Sequence, residues 1–379
     1  MNIHHKKVIV CGTRFGFVYL SAFLNKHHPF KLCGILAKGS SRSKKYAEYF
    51  GVPLYTDINS LPNDIDIACV VINSTMTGGQ GTDIALQLLQ KGINVIQEHP
   101  VHHGDLVKCY QYARKYGVHY HLNTHHIHAE PVRKFCNIIK KLKNNQNIIY
   151  INAIGAIQVA SSLLDIIGTA IGGIRPFTIL NPLDTSNICT LSGLKSLPYI
   201  NLQGVLSGIP FSLSIQNQYD PDDPDNNAYI LHRVNIILEN GTLSLLGSSG
   251  PVIWTDRLHL KWNSTLSSDI DFQNCLDRID ASAHPSAISL YGATAPSVKE
   301  TFQTILPDGI VHALYEMKDA IEGKTNESLR AQYYLDLTQF WNELLSKVGP
   351  PDLVKFPYSS TEVFSFYDFN KSEINSYKD

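Results

Sequence analysis

The 379-residue chain is 44% hydrophobic, long enough for two domains or one large α/β domain with additions. A formal charge of -1 and a pI near 7 exclude a general attraction for nucleic acid or anionic lipid, so a small molecule or a protein is the expected partner. No segment approaches the roughly 18 consecutive apolar residues of a membrane span, and the apolar run behind the basic N-terminus stops at Gly12, as a first strand does and a signal peptide does not.

The seven cysteines are odd in number and form no C-x-x-C pair. Several fall in apolar strand-like runs, which predicts reduced core thiols in a cytoplasmic protein. From Lys7 to Leu122 short apolar runs alternate with helical patterns: Lys7 to Cys11, Lys31 to Ala37, Val52 to Tyr55, Asp66 to Ile72, Ile93 to Gln97 and Val118 to Leu122. Six strands alternating with helices predict a doubly wound parallel sheet of the Rossmann type over residues 1–125.

In such a sheet the first turn carries a glycine-rich phosphate loop. Here it reads Gly12-Thr13-Arg14-Phe15-Gly16, which departs from G-x-G-x-x-G because Arg14 and Phe17 fill the second and third glycine positions. The strand before it and the helix after it still predict a dinucleotide, with Arg14 either a cation near the pyrophosphate or an exposed turn residue. The second strand ends without an acid, in Lys38-Gly39-Ser40-Ser41-Arg42-Ser43-Lys44. Cations and hydroxyls there suit the 2'-phosphate of NADPH, with Arg42 the forked contact. Asn73 and Ser74 open a glycine- and hydroxyl-rich segment to Thr82 that either folds over the nicotinamide ribose or substrate or is an ordinary connection.

Eight of the sixteen histidines lie between Asn94 and His128, bracketing one predicted helix between two predicted strands. The fifth strand ends in Gln97-Glu98-His99-Pro100, and the sixth leads into Asn123-Thr124-His125-His126. Together with Cys11 to Gly16, Gly51 to Tyr55 and Asp64 to Val71, these motifs resemble the thiazolinyl imine reductases of yersiniabactin- and pyochelin-type siderophore biosynthesis. That family lies within the glucose-fructose oxidoreductase and inositol dehydrogenase superfamily. The similarity is sharpest over residues 8–135.

The resemblance implies NADPH-dependent reduction of a thiazoline C=N to a thiazolidine, on a thioester carried by the carrier domain of a nonribosomal peptide synthetase. It places Glu98 with the cofactor and sets His99 where the superfamily has a catalytic lysine. A histidine, with a reference pKa of about 6.5, can release a proton at neutral pH, so His99 is the first choice of general acid. His126 is the second. Family members tend to carry a tyrosine there, so either His126 takes over the phenol's task or the phenol is dispensable. His121, His125, His126 and His128 include i, i+4 spacing that could bind zinc. Hydride reduction of C=N needs no Lewis acid, however, and no metal is expected.

Residues 126–350 are expected to form an α+β domain on an open, largely antiparallel sheet, for substrate and homodimer contact, with helices Gly309 to Gly323 and Ser328 to Val348 returning to the first domain. The superfamily's Asp-x-x-x-His pair is broken, because Asp165 is followed by Thr169. A sugar or polyol dehydrogenase would need that histidine and the missing lysine. A non-catalytic NADP-sensing regulator is a rival of another class. Residues 351–379 form a tail of little periodicity.

Overall fold

The structure is a computed structural model that describes residues 5–25, 27–74, 79–223, 226–258 and 285–356. The central residues of the 73–82 segment, the tip of the acidic loop after Asp220 and the tail beyond 356 lie outside the described residues.

The first sheet contains β1 (Lys6–Cys11), β2 (Phe30–Leu36), β3 (Leu54–Tyr55), β4 (Ile67–Val70), β5 (Asn94–Glu98) and β6 (Tyr120–Asn123). All pairs are parallel and the order is β3-β2-β1-β4-β5-β6, the doubly wound arrangement the alternation predicts. Every residue of β4 is buried, which is why it reads as an unbroken apolar run, and β6 is buried throughout although it carries His121 and Asn123. The crossovers include α1 (Gly16–Ser21), α2 (Ser41–Phe50), α3 (Gly81–Gln90) and α4 (His103–Tyr116). Parallel pairing brings all the strands' carboxyl ends to one edge of the sheet, so Cys11, Val70, Glu98 and Asn123 end side by side there.

The second domain begins with α5 (Glu130–Leu142), β7 (Ile148–Ala156) and α6 (Ala160–Ile171). Its eight-stranded sheet has the order β15-β14-β13-β12-β7-β10-β9-β8. The strands are β8 (Phe177–Ile179), β9 (Tyr199–Leu206), β10 (Ile209–Gln216), β12 (His232–Leu238), β13 (Gly241–Leu245), β14 (Val252–Asp256) and β15 (Ala287–Tyr291). Only β7 and β10 pair in parallel, so the sheet is largely antiparallel, and β12 alternates buried and half-buried residues along its length. A separate two-residue β11 (Gln218–Tyr219) pairs with β16 (Asp352–Leu353).

Helix α7 (Ser186–Ser192) lies between β8 and β9, and helices α8 (Leu306–Ile321) and α9 (Glu327–Val348) come after β15. Residues 298–305 are already helical, a short α turn followed by a π segment, so the helical run that becomes α8 starts earlier than its apolar pattern suggests and passes through Pro307. Leu306, Ile310, Leu314 and Met317 of α8 share a core with Val18, Tyr19 and Leu20 of α1, so the end of the chain packs against its beginning. Cys11, Cys69, Cys109 and Cys136 are buried free thiols, and Cys33 and Cys189 are half-buried ones. No helix among the described residues is long and apolar enough to cross a membrane.

Candidate active site

The register of β5 against β6 sets Glu98 opposite Asn123, so the residues that follow each strand meet at the sheet edge. Glu98 is buried, and it is surrounded by donors. His125 donates Nδ1–H to Oε1 at 2.7 Å, the Tyr19 hydroxyl donates to Oε2, and His99 Nε2 lies 3.4 Å from Oε1. Asn123 Nδ2 in turn donates to the Tyr19 oxygen. Burial alone would push the Glu98 carboxyl up; the charge and hydrogen bond of His125, then His99 and Tyr19, outweigh it and hold the carboxyl below its ordinary range. Glu98 is therefore an anion at neutral pH, and its neighbours must supply the protons.

His125 is held in an unusual backbone. Its φ of 29° is one of three positive values among the described non-glycine residues, and its N–H donates to Asn123 Oδ1 at 3.2 Å. Such a conformation costs on the order of 1–3 kcal/mol and persists where surrounding contacts over-determine it. Because an ionised carboxylate only accepts, the bond to Glu98 fixes Nδ1 as a protonated nitrogen. Nε2, across the ring, makes no hydrogen bond among the described residues, and the ring lies 5.0 Å from that of Phe15 in the glycine turn.

His99 is differently placed. Its Nδ1 is 2.8 Å from Ser161 Oγ at the start of α6, so both ring nitrogens have partners. Burial lowers its pKa to about 4, against the pull of Glu98 and with a further push from His125. Burial therefore favours the neutral form of this imidazole relative to the reference value of about 6.5. His126 stacks on His125 with ring centroids 3.9 Å apart and meets His232 of β12 edge-on at 4.5 Å. Burial, then the charges of His125, His232 and His99, hold it well below its ordinary pKa, and its buried Nδ1 has no partner among the described residues.

His232 closes the cluster from the second domain. Ser162 Oγ gives its single proton to the Val159 carbonyl at 2.9 Å, so it accepts from His232 Nε2 at 2.7 Å, and His232 Nδ1 accepts from Ser248 at 3.0 Å. Burial pushes His232 down to about 3. His232, Ser161, Ser162 and Tyr19 carry no local signal for this site, since each comes from an element well separated along the chain from the histidine stretch. His125 was visible inside the Asn123-Thr124-His125 motif, but its bond to Glu98 was not.

The first turn is built to hold backbone close to a ligand. Gly12 has φ +97°, and a Cβ there would stand 2.3 Å from the Val71 carbonyl oxygen, so only glycine fits. A Cβ on Gly16 would meet Val10 Cγ1 at an ordinary 3.6 Å. Buried Thr13 accepts from Arg42 Nε at 3.5 Å, which brings the basic start of α2 beside the turn. Ser40 caps α2 by accepting from the Ser43 N–H, Gly39 takes φ +80°, and Lys38, Ser41 and Arg42 are exposed around them. Ser74 Oγ donates to the Pro100 carbonyl at 2.6 Å, tying the loop after β4 to the one after β5, while Asn73 is exposed. Arg14 is exposed at the turn. These groups fit a nicotinamide dinucleotide laid from the basic patch across the turn to Glu98.

The four histidines with zinc-like spacing do not converge. His121 Nε2 bonds Glu327 at 2.8 Å, His125 bonds Glu98, His126 faces His232, and His128 Nδ1 faces His312 Nδ1 at 3.2 Å. Asp165 is buried and bound by Thr124 at 2.6 Å, Tyr333 at 2.7 Å, Thr169 at 3.2 Å and Tyr334 at 3.4 Å. Its carboxylate ties α6 to α9 and to the segment after β6.

Residues 6–124 match the model of the oxidoreductase family with an NAD-binding Rossmann fold. Residues 146–255 match the thiazolinyl imine reductase Irp3-like C-terminal domain. Each match covers about a third of the chain, so the first region is similar to the NAD-binding part of that oxidoreductase family and the second to the Irp3-like C-terminal domain. No curated protein sequence matches it. Among solved structures, a dehydrogenase from Chromobacterium violaceum aligns with TM-score 0.63 at 12% identity, covering 90% of this chain and 95% of that one. A variant of a 3-ketoreductase from Actinomadura kijaniata, solved with TDP-benzene and NADP, aligns with TM-score 0.61 at 12% identity over 93% and 100% of the two chains. The myo-inositol 2-dehydrogenase from Lactobacillus plantarum gives 0.57 at 13% identity over 91% and 97%. These likenesses establish the shared fold. Ser161, Ser162, His232 and Ser248 all fall within the region that matches the Irp3-like C-terminal domain, so both matched regions contribute to the histidine cluster.

Proposed function

We propose that the chain reduces the C=N bond of a thiazoline to a thiazolidine with NADPH, the thiazoline being held as a thioester on the carrier domain of a nonribosomal peptide synthetase during siderophore assembly. One observation carries this reading: the Irp3-like domain sends Ser161, Ser162 and His232 into the cluster around Glu98 at the carboxyl edge of the Rossmann sheet. In this reading the protein works in the cytoplasm as a homodimer.

The reduction needs a hydride at the imine carbon and a proton at the ring nitrogen. When bound, the reduced nicotinamide supplies the hydride. The Arg42, Lys38 and Ser41 patch favours the 2'-phosphate of NADPH over NADH. The protein's own task is the proton. His125 is the donor we favour: Glu98 accepts from Nδ1–H, and when the ring bears a proton on both nitrogens the Nε2 proton passes to the substrate nitrogen, leaving the neutral Nδ1–H ring against Glu98. His99, neutral and fixed between Ser161 and Glu98, aligns the carboxylate and the substrate. His126 fills the place of the family's tyrosine, with its Nδ1 open to a polar partner.

The test is NADPH oxidation, followed by absorbance, with a synthetic thiazoline thioester, and NADP+ reduction with glucose and with inositol. Consumption with the thioester alone, faster with NADPH than with NADH, is expected. Turnover of a polyol with none of the thioester would mean a sugar dehydrogenase, and tight NADPH binding with no turnover of any substrate would mean a sensor.

A further inference from the structure

We propose that a divalent ion of the zinc class binds at a second site, held by His128 Nδ1, His312 Nδ1 and Glu316 Oε1. The two Nδ1 atoms are 3.2 Å apart, and Glu316 Oε1 lies 3.8 Å from His128 and 3.7 Å from His312. A tetrahedral ion with bonds of roughly 2.0–2.2 Å sets its donors about 3.3–3.5 Å apart. The three donors therefore already form the base of such a tetrahedron, within a few tenths of an ångström. The two imidazoles and one carboxylate are the donor types zinc takes when it keeps an exchangeable fourth position.

The fold explains why these atoms meet. Gly309, His312 and Glu316 follow the helical i, i+3, i+7 spacing and share one face of α8. A Cβ at Gly309 would lie 3.3 Å from the Ala129 nitrogen, so the glycine lets the helix come close to the turn bearing His128. Once there, α8 presents both donors to His128, which is buried, and burial keeps that imidazole in the neutral, ligating form. The carboxylate is oriented from behind, because Glu316 Oε2 accepts from Arg330 Nη2 at 2.6 Å. Arg133 Nε donates to the His128 carbonyl at 2.9 Å, fixing the turn. Glu316 and Glu327 both pair with Arg330, which offsets its charge beside the site.

A cavity of about 420 Å³, bordered by Asn137, Lys140, Thr325 and Asn326, adjoins all three donors and gives the fourth position room for water or a small anion. Without an ion, the short Nδ1 to Nδ1 contact must be a hydrogen bond in which one imidazole keeps its proton on Nδ1. The site is separate from Glu98, His99 and His125, and it does not depend on the proposed reaction.

The experiment uses the full chain, treated with chelator and then titrated with Zn²⁺ alone, with metal content measured after dialysis. One retained equivalent is expected, with affinity falling at least tenfold in His312→Ala and in Glu316→Gln, while NADPH binding and the far-ultraviolet spectrum stay as in the parent. Should either variant fold poorly, Co²⁺ in the unmodified protein gives the second readout: intense four-coordinate visible bands and, by X-ray absorption, two imidazole ligands. No retained ion, six-coordinate Co²⁺, unchanged affinity in both variants, or loss of the ion in His99→Gln instead would overturn the proposal.

Discussion

His125 holds its ring between Glu98 and Phe15 from a strained backbone, and the strain makes sense when the ring's position matters more than the local cost. Asparagine tolerates positive φ better than most residues and cannot act as an acid, so His125→Asn isolates the proton donor. It should lower kcat by roughly 10²- to 10⁴-fold with the NADPH dissociation constant, read by fluorescence titration, little changed. His99→Gln should lose less. If the glutamine variant is the dead one, the neutral histidine is the acid after all and the roles must be exchanged.

Burial of uncharged imidazoles also sets the response to acid. His99 is held near 4 and His232 near 3, whereas both titrate near 6.5 in an unfolded chain. Between those values the unfolded state binds more protons, so the stability these two residues confer is intact above pH 6.5 and lost as the pH falls through it. Urea unfolding at pH 5.5 should give a free energy about 2–3 kcal/mol below that at pH 7.5, from two groups each worth about 1.4 kcal/mol per pH unit of separation. Replacing both by glutamine should remove about that much of the dependence, with the remainder belonging to the other buried imidazoles, His126 and His128; an unchanged slope would show that His99 and His232 do not set it.

At the level of elements, the first turn separates the glycine that geometry demands from the one it does not. Gly12→Ala would drive a Cβ to 2.3 Å from the Val71 oxygen at φ +97°, whereas Gly16→Ala finds ordinary contact at 3.6 Å. The first should cost several kcal/mol, with melting falling roughly 2–4 °C for each. The second should melt close to the parent in the same calorimetric scan. In α2, Arg42→Ala should lower the preference for NADPH over NADH at least tenfold, measured as the ratio of dissociation constants. An unaltered ratio would leave the basic patch as a solvated helix start.

The sheet was legible because strands buried on both faces tend to be continuously apolar, as Val8 to Cys11 of β1 and all of β4 are, whereas β5 shows only the short apolar pair Val95-Ile96 between polar residues. The ends were less so. The apolar period of α8 begins after its proline, although the backbone starts the helix before it.

Across the whole molecule, the half of the site supplied by one stretch could be read and the half supplied by folding could not. Glu98, His99 and the Asn123 to His126 segment stand at strand ends, and strand ends follow from periodicity. His232 and Ser161 reach the cluster only because the second sheet and α6 pack over the edge of the first. His312 reaches His128 only because α8 returns to the first domain. No local spacing encodes those meetings.

The proposed reaction joins one hydride to carbon and one proton to nitrogen on a tethered ring, and that outcome can be weighed directly. A carrier domain loaded with a thiazoline thioester is mixed with the protein and NADPH deuterated at the transferable position, and the carrier is analysed by mass spectrometry. The account predicts a thiazolidine carrying one deuterium at the former imine carbon and a solvent-derived proton at nitrogen, with formation slowed in His125→Asn. Thiazoline recovered unlabelled from a protein that binds NADPH would contradict it.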